Sequence, residues 1–278
     1  MFAPEEMLLV AGSPSLRRAA LDRIAAGRFP AYGPALSTYT RALQQRNGLL
    51  RAIRDETAER SQLRYWDKPF LDAAGEVVDL RHQVLRELGP PFAAAHAEIA
   101  PEEASGAVLG LRYETNAPAR AGETPRDALE RRLAETADKE AWNGTTLVGP
   151  HRDDLSFVLG ERDLAGFASR GQQRTAILAF KLAELDLLTA IDGRPPLLLL
   201  DDVFSELDPE RRSHLVRRIA SLPQAFVTTT TLDDLDAGLL SIADTWHVDA
   251  NLEANLGAPG GPGQGNATLD GPTRVGAR

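Results

Sequence analysis

The feature that most constrains the fold is an apolar run that ends in two carboxylates, PLLLLDDVFSELD at residues 196–208. Four consecutive leucines, Leu197–Leu200, are typical of a strand buried in a sheet. Open α/β sheets bind ligands beyond the carboxyl ends of their strands, which is where Asp201 and Asp202 fall. The same pattern also fits an ordinary strand that ends in a solvated acidic turn.

The two carboxylates suit phosphate chemistry. Magnesium takes hard oxygen ligands and is often held by one or two carboxylates together with phosphate oxygens, so Asp201 is a candidate metal ligand. Asp202 is a candidate base that polarises a water next to a γ-phosphate. Asp208-Pro209 predicts the N-cap and first-turn proline of the helix that follows.

A second candidate phosphate site lies upstream, in FASRGQQRTAILAFKLAELDLL at residues 167–188. Ser169 and Gly171 stand at the start of a strongly amphipathic helix. Free backbone N–H groups, a hydroxyl and a glycine that permits close approach suit a phosphate there. An ordinary Ser/Gly helix start has the same pattern, so the segment alone does not decide between the two.

Strands and helices alternate after Gly144, which is the pattern of a mostly parallel sheet covered by helices. The predicted strands are 145–148, 155–159, 197–200, 225–229 and 245–248. The predicted helices of this part are 172–191 and 210–221.

The residues before Gly144 are mainly helical. The predicted helices are 14–26, 36–64, 77–88 and 125–142. Gly89-Pro90-Pro91 is expected to interrupt the third of these, and Thr124-Pro125 with Asp127 forms the N-terminal signal of the fourth. We therefore predict an α/β head, 1–30 and 144–250, with a helical arm inserted at 31–143 and a disordered tail at 251–278.

Composition excludes several classes of protein. No apolar run is long enough to span a membrane, and the N-terminus lacks the basic start and cleavage site of a secretory signal. With no cysteine in 278 residues, disulfides and thiolate metal sites are excluded, which is compatible with the reducing cytoplasm. The formal net charge of -9 means that binding to nucleic acid requires a local basic patch.

One such patch lies at residues 41–64, where six arginines face three acidic residues. These arginines are Arg41, Arg46, Arg51, Arg54, Arg60 and Arg64. They are candidate phosphate contacts, which would weaken steeply with salt, or they form a solvated helix face.

The order of these motifs is that of the signature motif, Walker B strand and D-loop of ABC-type ATPases. The segments TLVGPHRDDLSFVLGERDLAGFASRGQQRTAILAFKLAELDLL (146–188), PPLLLLDDVFSELDPERR (195–212) and FVTTTTLDDL (226–235) resemble the RecF family of bacterial DNA repair ATPases. Residues 2–22 also match that family's pattern. The resemblance implies an ABC-type ATPase head, related to SMC proteins, with an inserted helical arm.

The resemblance also implies roles for individual residues. Asp201 would hold magnesium, and Asp202 would take the place of the catalytic carboxylate. The residues implied to contact the nucleotide or the dimer interface are Ser169, Gly171 and Gln172 of the signature motif, Ser205 and Asp208 of the D-loop, and Thr229 or Thr230 at the switch position. The GPHRDD hexapeptide at 149–154 is family-like; we interpret His151 as structural, and Arg152 as paired with Asp153 or Asp154 or facing phosphate.

The function implied by the resemblance is recombinational gap repair and replication restart, in the response to DNA damage. It brings expectations of ATP and Mg²⁺ as cofactors, an ATP-dependent homodimer, and binding to gapped DNA or to single-strand/double-strand junctions. Other recombination mediator proteins would be partners, as part of the SOS response in the cytoplasm.

One departure from the family is plain in the sequence. None of the three lysines follows a glycine, so the phosphate-binding loop G-x-x-x-x-G-K-[ST] is missing from these residues, and we expect a family member that starts internally. Two alternatives remain open: a non-enzymatic module that binds DNA or a partner, and the nucleotide-binding subunit of an ABC transporter.

Overall fold

The computed structural model describes residues 8–204, 207–232, 235, 237–248 and 273–275. The helices are α1 (Leu8–Ala11), α2 (Pro14–Arg28), α3 (Tyr32–Arg54), α4 (Arg64–Ile99), α5 (Pro101–Ala104), α6 (Pro125–Asn143), α7 (Leu164–Phe167), α8 (Arg170–Asp192), α9 (Pro209–Ala220) and α10 (Ala237–Ile242). The strands are β1 (Leu109–Glu114), β2 (Asp154–Leu159), β3 (Arg162–Asp163), β4 (Leu198–Asp201), β5 (Ala225–Thr228), β6 (Thr245–His247) and β7 (Thr273–Val275).

The helical arm is built on α4, which packs against α3 and α6. The helix predicted for 36–64 is in fact α3 followed by a turn. Glu56 adopts a left-handed conformation with φ of 57°, which ends α3, and a short 3-10 helix at Arg60–Leu63 leads into α4. Tyr39 and Leu50 of α3 are buried.

The Gly89-Pro90-Pro91 sequence does not interrupt the helix, contrary to the prediction. Helix α4 runs through these residues to Ile99. Proline removes an N–H donor and crowds the preceding turn, but Leu88 and Phe92 on either side of the sequence are completely buried. The burial of these two large side chains outweighs the local cost of the prolines.

Helix α4 also joins the arm to the head. It packs along α8, and the rings of Phe92, Phe157 and Phe180 meet edge to face with centroids 5.4 to 6.0 Å apart. These rings come from α4, β2 and α8, so one aromatic cluster connects the arm helix, the antiparallel sheet and the helix that begins with the predicted signature motif.

The strands form three small sheets. Strands β1, β2 and β3 are antiparallel, β4 and β5 are parallel, and β6 and β7 are antiparallel. Among the described residues, the predicted parallel character therefore belongs to the β4–β5 pair alone. Strand β7 lies within the tail predicted to be disordered, most of which is outside the described residues.

The strand predicted at 145–148 is absent. The Thr146 amide donates to the side chain of Asn47 at 2.7 Å, and the Leu147 amide donates to the Glu140 carboxylate at 2.7 Å. Side chains of the arm thus accept hydrogen bonds from the backbone amides that a strand would use to pair with a neighbouring strand, and the segment stays irregular. Strand β1, which pairs with β2 over its whole length, had not been predicted.

The parallel pair has one covered face and one open face. Leu198 and Leu200 are buried, whereas Leu199 and Phe226 on the other face are 36% and 54% exposed. No described helix has the length and apolar character required to cross a membrane.

Candidate nucleotide site

The centre of the predicted magnesium site is the end of β4. Asp201 is paired in register with Thr228 of β5, and the Thr228 hydroxyl donates a hydrogen bond of 2.5 Å to Asp201 Oδ1. The buried side chains of Leu198 and Leu200 hold β4 in place. This hydrogen bond orients the Asp201 carboxylate at the edge where ligands of parallel sheets bind.

Asp202 begins the turn after the strand. Its backbone is left-handed, with φ of 49°, and its amide donates to the Thr228 carbonyl at 3.1 Å and lies 3.3 Å from the Thr228 hydroxyl. The turn is followed by buried Val203 and Phe204, which anchor the chain behind it. A positive φ is uncommon for a residue other than glycine and marks a backbone held by its surroundings.

The predicted signature motif is the N-terminus of α8, as expected from the sequence. Ser169 and Gln172 form a capping box, in which Ser169 Oγ accepts from the Gln172 amide at 3.2 Å and Gln172 Oε1 accepts from the Ser169 amide at 3.0 Å. The motif is therefore rigid and partly open to solvent. Helix geometry leaves the earliest N–H groups of α8 without intrahelical acceptors, so they point outward from this end.

Asp208 caps α9, as predicted, by accepting from the Arg211 amide at 2.9 Å. Ser205 lies outside the described residues. The sequence did not point to Arg211 itself, whose guanidinium lies against Gly171 and near Asp208. No local pattern could have identified it, because its partners other than Asp208 are far away in the chain.

The structure does not bring Thr229 or Thr230 to the Asp201 carboxylate. The Thr229 hydroxyl donates instead to the Thr231 carbonyl at 2.8 Å. Thr228, one position earlier, is the residue that contacts Asp201. The register of β4 and β5, which the sequence does not reveal, is what brings Thr228 to Asp201.

The predicted residues thus form two clusters on one chain. Asp201 and Asp202 meet at Thr228, while the signature motif meets Asp208 through Arg211. Within the described ranges, no three His, Cys, Asp or Glu side chains could hold a metal ion by themselves. A carboxylate and a hydroxyl at a strand end are hard oxygen donors that fit Mg²⁺ only when phosphate oxygens complete its coordination.

The GPHRDD loop is structural. Gly149 has φ of 126° and lies so close to Tyr39 and Phe70 that a Cβ would be 2.8 Å from the tyrosine oxygen. His151 Nδ1 is 2.5 Å from the same Tyr39 oxygen, and burial lowers the pKa of His151 to about 4. The imidazole is therefore neutral near pH 7, as the structural interpretation requires.

The charged residues of the loop have partners other than one another. Asp154 pairs with Arg17 at 2.7 Å, and although burial opposes it, this pairing holds the pKa of Asp154 below its usual range. Asp153 accepts from the Tyr113 hydroxyl at 2.7 Å. Arg152 donates to the Thr146 carbonyl at 3.2 Å. The loop fastens the head to α2, α3 and β1.

The six arginines at residues 41–64 divide into two groups. Arg46 is buried and pairs with Glu140 at 2.7 Å and Asp67 at 2.8 Å, so it cannot contact phosphate. Arg54 and Arg60 pair with Asp55 and Asp138. Among these six, Arg41, Arg51 and Arg64 are exposed and have no acidic partner among the described residues.

Comparison with known proteins identifies the family. The DNA replication and repair protein RecF of Herpetosiphon aurantiacus is 40% identical over 255 residues, which are 91% of this chain and 64% of that protein. RecF of Crocosphaera subtropica is 37% identical over 273 residues, 92% of this chain and 70% of that protein. The chain belongs to the RecF family.

The structural comparison agrees. A structure titled "recombination mediator protein RecF-ATPrS in RecFOR pathway" superposes with a TM-score of 0.74 at 29% identity, covering 84% of this chain and 62% of that one. The predicted resemblance and the predicted RecF-type head with its helical arm are both confirmed. The RecF-family chain spans about two thirds of the length of these relatives, and no protein-family model matches it.

Proposed function

We propose that this RecF-family chain supplies the arm and C-terminal head of a DNA replication and repair ATPase, with parts of two ATP sites on its surface. The observation that carries the proposal is the Asp201–Thr228 contact at the end of a parallel strand, next to the left-handed turn at Asp202. The similar solved structures are RecF-ATPrS and RecF-ATP, which supports a nucleotide in this region.

In this proposal, the site would hold ATP·Mg²⁺ while water attacks the γ-phosphate and ADP leaves, and the metal would stabilise the negative charge on the phosphate oxygens. Asp201 holds the metal, oriented by the Thr228 hydroxyl. Asp202 lies at the edge of the same turn and polarises the attacking water. The hydroxyl of Ser169 and the N–H groups of α8 would bind phosphate oxygens.

In this proposal the two clusters belong to different ATP sites, since one lies at the end of β4 and the other at the start of α8. We place Ser169, Gly171 and Gln172 against a nucleotide held by a second subunit, with residues 205–208 at the dimer interface. Asp201 and Asp202 would instead face a nucleotide whose phosphates are bound by a G-x-x-x-x-G-K-[ST] loop that these 278 residues do not contain.

Mixing the chain with a full-length RecF relative tests this arrangement. We expect titration with the chain to change the relative's rate of ATP hydrolysis, because the chain supplies a signature motif to the relative's phosphate-binding loop. Ser169→Ala should lower this effect about tenfold or more, the usual cost of removing one oriented donor. An unchanged rate at saturating wild-type chain would contradict the proposal.

Asp202→Asn in the chain is the matched control. In the mixed dimer, Asp202 faces the site that has no phosphate-binding loop, so this variant should change the relative's rate as the wild-type chain does. If Asp202→Asn abolished the effect while Ser169→Ala did not, the two clusters would have been assigned to the wrong sites.

The proposed DNA contacts are Arg41, Arg51 and Arg64. Their exposed guanidinium groups would bind phosphates of gapped DNA or of a single-strand/double-strand junction. Replacing all three by alanine should weaken binding of a labelled gapped duplex, measured by fluorescence anisotropy, and should reduce the salt slope by about one per lost contact.

A control with the same change in net charge is Arg28→Ala, Arg126→Ala and Arg131→Ala. All three arginines are paired with carboxylates, so this variant should retain most of the affinity and salt slope. Equal losses in the two triple variants would mean that net charge, not the arm surface, determines binding.

The wider proposal includes an ATP-dependent homodimer, other recombination mediators as partners, and a cytoplasmic location.

A further inference from the structure

Arg211 joins three segments that are distant in the sequence. Its Nη2 lies 3.2 Å from Glu102 Oε1 and also contacts Glu103, both in α5. Its Nη1 lies 3.4 Å from Asp208 Oδ2, in the residue that caps α9. The side chain is only 15% exposed, so the guanidinium is enclosed by these carboxylates and not spread on the surface.

The third segment is the start of α8. A Cβ on Gly171 would lie 3.3 Å from Arg211 Nη1 and 3.8 Å from Ser169 Oγ. Glycine therefore leaves the space in which the guanidinium packs against the signature motif. A Cβ at position 171 would therefore require Arg211 Nη1 to shift by a few tenths of an ångström.

The carboxylate side of this contact leads back to the arm. Glu103 Oε2 is 3.4 Å from Nε2 of His96, a buried residue in the last turn of α4. Helix α4 is 36 residues long and packs against α3, α6 and α8. A continuous series of contacts thus runs from the arm helix through α5 and Arg211 to Gly171.

We propose that Arg211 is a positioning residue that sets the signature motif relative to Asp208 and links both to the position of the arm. The inference rests on the proposed function, in which the motif binds the nucleotide of a second subunit. Arg211 does not need to touch that nucleotide. It holds together three carboxylates that repel one another, and without it Glu102, Glu103 and Asp208 would leave an uncompensated negative charge beside the motif.

The link is tested first in the chain alone by hydrogen exchange. In Arg211→Ala we expect amides in 168–175 and in 100–105 to exchange faster than in the wild type. The matched control is Arg217→Ala in the same helix, because Arg217 bonds to His214 on the surface and should leave both segments unchanged. Unchanged exchange in Arg211→Ala at both segments would overturn the inference.

The mixed ATPase assay tests the positioning role. Arg211→Ala should lower the maximal effect of the chain on the relative's turnover about fivefold or more, a factor typical of coupling between sites. The ATP concentration for half-maximal rate should stay the same, because the relative's own loop binds most of the nucleotide. Arg211→Lys keeps the charge and should recover part of the effect.

The outcomes separate the two proposals. If the wild-type chain has no effect on the relative, the proposed function is wrong. If the wild-type chain is effective and Arg211→Ala is equally effective at saturation, the positioning role is wrong. A loss that is overcome merely by adding more Arg211→Ala chain would show weaker folding or association, and would also overturn the inference.

Discussion

The Thr228 hydroxyl donates a 2.5 Å hydrogen bond to the Asp201 carboxylate across the parallel strands β4 and β5. The two residues are directly paired in the sheet, so the contact depends on the strand register and not on loop placement. It gives the carboxylate a fixed orientation before any ligand is present, which is the kind of preorganisation that a metal ligand requires.

A double-mutant cycle measures this contact. Thr228→Val and Asp201→Ala should each lower the free energy of unfolding, and the double variant should be less destabilised than the sum by about 0.5–1.5 kcal/mol. Urea denaturation gives the four free energies. Thr229→Val is the control, because its hydroxyl bonds to Thr231; its cycle with Asp201→Ala should be additive within about 0.5 kcal/mol.

The buried ion pair between Arg46 and Glu140 should make a large contribution to stability. Arg46→Met leaves the Glu140 carboxylate buried without its counter-charge and should lower the free energy of unfolding by about 3–5 kcal/mol. Arg41→Met in the same helix removes an exposed arginine and should cost about 0.5 kcal/mol or less. Similar losses from both substitutions, measured by chemical denaturation, would contradict the assignment of Arg46 to the core.

Gly149 is expected to tolerate no side chain. Gly149→Ala combines a φ of 126° with a Cβ only 2.8 Å from the Tyr39 oxygen, and should lower the free energy of unfolding by about 3 kcal/mol. Tyr39→Phe removes the crowding oxygen. It should therefore lower the free energy of unfolding less when it is added to Gly149→Ala than when it is made in the wild type. Gly48→Ala, which meets open space in α3, should instead stabilise by about 0.5–1 kcal/mol.

Local signals in the sequence were sufficient to predict the ends of several helices. The capping box of Thr124 and Asp127 and the Asp208 cap are both present, because each involves a side chain and amides only a few residues apart. Ser169 at the start of α8 belongs to the same class. In such cases the residue types and their spacing are sufficient to predict the interaction.

Contacts between distant residues were beyond sequence reasoning. Arg46 meets the Thr146 hydroxyl across 100 residues, and this contact belongs to the network that prevents the strand predicted at 145–148. Arg211 contacts Glu103, which is 108 residues away in the sequence, and no periodic pattern indicates this pair. The prediction that Gly89-Pro90-Pro91 interrupts the helix was wrong for a related reason. Helix propensity depends on the local sequence, whereas the burial of Phe92 depends on residues that are distant in the chain.

The neutral, buried imidazole of His151 predicts a specific loss of stability in acid. Because burial lowers its pKa to about 4 in the folded chain, and an unfolded histidine has a pKa of about 6.5, the unfolded state binds the extra proton between these two values. Stability therefore falls as pH drops from about 6.5 to 4, and this contribution becomes constant below that range.

Replacing His151 by glutamine should remove this slope. Between pH 6 and 4.5 the free energy of unfolding of the wild type should fall more steeply than that of His151→Gln, by a difference approaching about one bound proton. Urea denaturation at several pH values measures both slopes, and His214→Gln, at a surface histidine bonded to Arg217, serves as the control. Parallel curves for the wild type and His151→Gln would show that the imidazole takes up its proton equally well in the folded chain, and would disprove its role as a neutral partner of Tyr39.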